Sequence, residues 1–182
     1  MVFQNIAVFL ISTLFSLYIG AVLLRFLLAL VRADFYNPLS QFLVKITNPV
    51  LVPLRRFVPP IGKIDSASLV LAFTLKLIAA TLLMSIQGLD AGVGGLLLAV
   101  LADLIRTVVW IFMVALIVQA IMSWVGNSYG NPMGSLLDSL TAPMLDPIRK
   151  FVPLIGMVDL SPLVAILLLQ VVLIALGGFP NI

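Results

Sequence analysis

From Val2 to Leu24 the chain carries no charged residue, and the first apolar stretch continues to about position 31. Three more follow, at about 67–86, 96–125 and 162–178. Each approaches the roughly 20 residues needed to cross a hydrocarbon core of about 30 Å. The pattern therefore predicts four membrane-spanning helices. No basic segment precedes the first stretch, and it is far longer than the apolar core of a cleaved leader, so it is expected to stay in the mature protein.

The polar positions between these stretches occur twice. Asn37-Pro38 opens a segment with Thr47, Pro49, Leu51, Pro53, Arg55, Phe57-Val58-Pro59, Ile61-Gly62 and Asp65, and 94 positions later come Asn131-Pro132, Thr141, Pro143, Leu145, Pro147, Arg149, Phe151-Val152-Pro153, Ile155-Gly156 and Asp159. A fixed-period duplication indicates two copies of one unit. The predicted fold is an all-α membrane protein of four transmembrane helices in two parallel tandem repeats, 1–86 and 96–182, joined by a loop at 87–95. Two spans per copy keep both copies the same way up, related by a pseudo-two-fold axis along the bilayer normal.

Each linker is expected to fold as a short helical hairpin, amphipathic or re-entrant. Leu39, Phe42, Leu43 and Ile46 fall on one helical face, as do Met133, Leu136, Leu137 and Leu140. Asn-Pro suits the start of such a helix. A second short helix is expected to begin at Thr47 or Thr141, with the hydroxyl as cap and Pro49 or Pro143 in its first turn. Arg55-Arg56 and Arg149-Lys150 then fall at its end, where cations complement the dipole. Pro59-Pro60 and Pro153 stop it, Gly62 and Gly156 supply a turn, and Asp65 and Asp159 stand where the next span needs a cap.

Charge fixes orientation. Arg32, Lys45, Arg55, Arg56 and Lys63 lie in the first linker and Arg149 and Lys150 in the second, whereas the 87–95 loop and both termini have no Lys or Arg. The linkers are expected in the cytoplasm and the termini outside. Trp110 and Trp124 suit the two interfaces, leaving 96–106 as an outer extension in which Asp103 and Arg106 pair one turn apart.

Composition narrows the chemistry. Hydrophobic residues make up 63% of the chain and charged ones 9%, too few to cover a water-facing surface. The net charge of +3 records orientation rather than nucleic-acid binding. There is no Cys, His or Glu, which removes thiol and imidazole nucleophiles and the usual metal-ligand sets. No phosphate-cradling glycine motif occurs either, so neither enzyme chemistry nor a cofactor is expected.

The strings TNPVLVPLRRFVPPIGKID and TAPMLDPIRKFVPLIGMVDLSP resemble the signature of the YggT family of bacterial and plastid membrane proteins. The resemblance covers nearly the whole chain. It implies links to osmotic tolerance and potassium uptake, to envelope organisation near division, and in plastids to nucleoid distribution or cytochrome maturation. It brings no catalytic or binding residues with it.

Two groups of residues are candidates for function. Arg55, Arg56, Arg149 and Lys150 mark basic corners for anionic phospholipid or a protein partner. Arg25, Lys76, Gln119 and Gln170 are intramembrane polar residues at two matched depths, expected to face one another as a polar centre with no carboxylate beside it. The first group supports a membrane-organising or adaptor protein, the second a channel, transporter or subunit acting on ion balance. Ser12, Ser16 and Gly20 recur every four residues, a close-packing face for another helix of the chain or for a neighbouring protomer.

Overall fold

A computed structural model describes residues 2–89, 92–125, 131–152 and 159–177. Among these residues six helices run in the order α1 (Val2–Leu30), α2 (Pro38–Leu54), α3 (Ser66–Gln87), α4 (Val93–Val125), α5 (Pro132–Arg149) and α6 (Ser161–Leu176). Among the described residues α1, α3 and α4 are long and apolar enough to cross a membrane, and α6 is a shorter apolar helix. Pro153 and Gly156 lie outside the described residues, as does the Trp124 side chain. Trp110 is exposed on α4.

α1 and α3 pack side by side, and α3 folds back on α4 through a turn that begins at Gly88. That glycine has φ 67°, and its N–H returns to Met84 O, closing α3 with a left-handed residue as glycine readily allows. At the far end of the α1/α3 pair Gln4 Nε2 donates to Ile86 O at 2.6 Å. The antiparallel register set there brings Arg25 toward the level of Asp65, where α3 begins. α1 continues past that level to Leu30.

The linkers differ from the expected hairpins. Each is one continuous helix, 17 residues in α2 and 18 in α5, with Pro49 and Pro53, or Pro143 and Pro147, inside it. An interior proline normally breaks a helix because its missing N–H orphans the carbonyl four residues back. Here all four prolines are exposed, so the carbonyls they release lie on the outer side rather than in the core. The two threonines begin no new helix. Thr47 Oγ1 donates to Leu43 O at 2.6 Å and Thr141 Oγ1 to Leu137 O at 2.8 Å, the four-back bond of a helix interior. Both helices end before the later prolines, with Arg55 and Lys150 as their last caps.

α2 turns back along α1. Its Leu43 packs in a cluster with Leu27 and Leu28, while Leu51 joins Ile19, Val22, Leu23 and the start of α3 at Ala67, Leu71 and Ala72. In the second half Leu145 packs with Leu116 of α4 and Ala165 of α6. The two halves meet through α1, α4 and α5, with Ala115, Leu136 and Leu140 in the Leu27 cluster. Among the described residues no helix of the chain packs closely on the Ser16–Gly20 part of the small-residue face of α1: Ser16 is exposed and a Cβ on Gly20 would meet nothing within 4 Å.

Candidate functional site: the basic elbows and the intramembrane ion pairs

Asn37 caps α2 and Asn131 caps α5 in the same way, each carboxamide oxygen accepting the N–H two residues on at 3.0 Å. Proline at the next position lacks the N–H that a first-turn residue would leave unpaired, so Asn-Pro is a well-matched helix start. Asn37 Nδ2 also donates to Pro132 O at 2.5 Å, tying the two linker helices together where they begin.

The end of each linker helix carries an arginine that pairs with the aspartate standing before the next helix. Arg55 forms a two-pronged ion pair with Asp65, and Arg149 Nε reaches Asp159 Oδ2 at 3.0 Å. Both pairs span ten residues and thus clamp each linker to the start of the following helix. In the first elbow Gly62, with φ 61°, makes the turn between Ile61 and Ile64, whose backbones bond each other. Asp65 also accepts Ser68 Oγ at 2.7 Å, and Asp159 accepts Ser161 N–H at 2.9 Å. Burial pushes both carboxyls up, but the bonds from Ser68 and Ser161 and the adjacent guanidinium groups outweigh it. Both are held below the ordinary carboxylate value.

The basic doublets therefore divide. Arg55 and Arg149 are each ion-paired within the chain. Arg56 and Lys150 remain exposed, each followed by an exposed aromatic, Phe57 at 82% and Phe151 at 87%.

The four intramembrane polar residues are not gathered into one centre. Arg25, buried, donates to Thr47 Oγ1 at 2.5 Å. Gln119 occupies the equivalent place and accepts from Thr141 Oγ1 at 2.9 Å, while its Nε2 donates to Asp138 at 2.6 Å. Each thus binds the threonine of its own linker, 22 residues on. Lys76 pairs instead with Asp103 of α4 at 2.7 Å. The expectation that no carboxylate stands at its depth is corrected by the α3/α4 hairpin. Lys76 precedes the end of α3 at Gln87 by 11 residues, and Asp103 follows the start of α4 at Val93 by 10, so folding back sets them level. Arg106 joins as expected, with Nη1 at 2.9 Å from the other oxygen of Asp103, and its Nη2 donates to Leu176 O at the end of α6. Gln170 is exposed on the outer side of α6.

Two hollows lie along the paired linkers. One of about 270 Å³ is walled only by apolar side chains of α1, α2 and α5, among them Leu24, Leu28, Phe42, Leu43, Leu136 and Leu140. The other, of about 440 Å³, opens beside the helix starts and is lined by Asp34, Tyr36, Asn37, Asn131, Ser135 and Asp138 with the two prolines.

Compared with known proteins, the chain matches the CCB3/YggT family profile over residues 4–86 and 98–179. It is 44% identical over 186 residues to an uncharacterized protein of Pseudomonas aeruginosa, covering 96% of this chain and 93% of that protein. It is 41% identical over 171 residues to the uncharacterized protein YggT of Escherichia coli K12, covering 93% and 88%. An uncharacterized Vibrio alginolyticus protein is 43% identical over 170 residues, covering 92% and 91%. No solved structure matches the chain.

Proposed function

The chain belongs to the CCB3/YggT family, and from that premise we propose that it is a four-span bacterial inner-membrane protein, built from two parallel repeats, that organises the membrane by holding anionic phospholipid or a protein partner at two cytoplasmic basic elbows. In this reading α6 and the residues after it complete a fourth span, the linkers face the cytoplasm and the termini face outward. The family's connection with osmotic tolerance becomes a consequence of how these elbows grip the inner leaflet.

The observation that carries the reading is the division of labour in each doublet. One cation is spent on an internal clamp, and the next is presented beside an exposed phenylalanine. Exposed aromatic and cationic side chains held together on a fixed turn match a headgroup boundary, where the ring enters the acyl region and the cation meets phosphate. Each such cation is worth about 1 kcal/mol at an anionic surface. The all-apolar hollow between the linkers suits hydrocarbon better than water. A transport reading finds less support, because Arg25, Lys76 and Gln119 are engaged by separate partners rather than lining one path.

Reconstitution tests this. In nanodiscs of phosphatidylglycerol the wild-type protein should melt higher than in phosphatidylcholine, and an R56E/K150E double variant should lose that difference while keeping its melting temperature in phosphatidylcholine. Cells carrying only the variant should survive osmotic downshock less well. An undiminished preference of the variant for phosphatidylglycerol would exclude the elbows as the lipid site.

A further inference from the structure

The geometry points to a second copy of this chain packed along the outer side of α6, through a seam made by Leu163, Leu167, Gln170 and Ile174. These four residues follow one another at spacings of four, three and four, the register of a left-handed helix pair. All are exposed, Leu163 at 56%, Leu167 at 59% and Ile174 at 68%. The opposite side of the helix is spoken for: Ala165 is buried with Leu116 of α4 and Leu145 of α5, and Ile166 and Leu169 pack against the same cluster.

Gln170 selects the occupant. It is the only polar side chain of α6 after the opening serine, and it stands nine residues from the start at Ser161 and six from the end at Leu176. In the four-span reading proposed above, on which this inference rests, its three rotatable bonds cannot carry the amide to either headgroup layer. Lipid tails would leave both the donor and the acceptor unsatisfied, which hydrocarbon penalises heavily. A second Gln170 answers both groups at once, because a carboxamide is complementary to itself when two copies meet about a two-fold axis. The chain already uses the matching position in this manner: Lys76, 94 residues earlier, carries the polar contact of α3 to its neighbour α4. Among the described residues no helix covers the α6 seam in return.

Because the chain contains no cysteine, single-cysteine variants of the full protein test the seam by oxidation in liposomes at high lipid-to-protein ratio. L167C and I174C should form covalent dimers, whereas L168C and V172C, exposed but turned away from the seam, should not. Adding Q170L to L167C should weaken the dimer about tenfold, and Q170N should restore it. The pairing is overturned by absence of cross-links at both seam positions, by equal cross-linking at positions 168 and 172, or by a seam cysteine that reacts only with one placed at Ser16 of a neighbouring α1.

Discussion

Lys76 Nζ lies 2.7 Å from Asp103 Oδ2, and the other oxygen of the same carboxylate takes Arg106 at 2.9 Å. One acid thus holds two cations between α3 and α4, and through Arg106 it reaches the last carbonyl of α6. All three side chains are largely buried.

Removing the shared acid should be the most damaging change within this group. Asp103→Asn strands Lys76 and Arg106 together in a low-dielectric setting, at a cost of about 3–5 kcal/mol. Lys76→Met leaves Asp103 paired with Arg106 and should cost clearly less. Reversible unfolding in mixed micelles should rank wild type above K76M and K76M above D103N, and the reverse order of the two variants would show that the carboxylate is not the keystone.

Arg25→Gln should be well tolerated, within about 1 kcal/mol, because Gln119 demonstrates that a glutamine at this place reaches the linker threonine. Thr47→Val should cost more, about 1–3 kcal/mol, since it takes the acceptor away from a buried guanidinium. Melting curves of the two single variants measure the contrast. The double variant should recover part of the loss.

The elbow clamps carry a pH signature. Asp65 and Asp159 titrate below their unfolded value near 3.9, so the ionised form is the one the fold prefers. Their contribution is full above about pH 4 and is lost as pH falls through the lower folded values. Protease cleavage or hydrogen exchange around Gly62 should therefore rise on acidification below pH 4. Arg55→Gln should raise exchange in the first elbow already at pH 7 and flatten its pH dependence.

Orientation is open to direct labelling. A cysteine at Lys63 should react with a membrane-impermeant maleimide only after cells are opened, and one at Gly92 should react in intact cells. Labelling of both from the same side would overturn the two-spans-per-repeat topology.

Much of this was legible from residue types alone. Asn-Pro announced both linker starts, and Gly62 announced the first turn, because each supplies a backbone property that few residues share. The linker interior is not legible in the same way, because proline's effect depends on which side of the helix it occupies, and only packing decides that. Pro49, Pro53, Pro143 and Pro147 sit outward and the helices continue through them. The 94-residue repeat matches Lys76 with Gln170 and gives no sign of Asp103, whereas counting outward from the α3/α4 turn sets Lys76 and Asp103 level. The Arg-to-Asp spacing of ten, present in both copies, was a readable sign that Arg55 and Arg149 are internally committed. Asp138 could not come from the duplication, since its counterpart in the first copy is Val44.

The bond from Asn37 to Pro132 makes one mechanical unit of two linkers that are far apart in the chain. The two helices start against one another at this bond, so a shift of either linker start is felt directly by the other half of the chain.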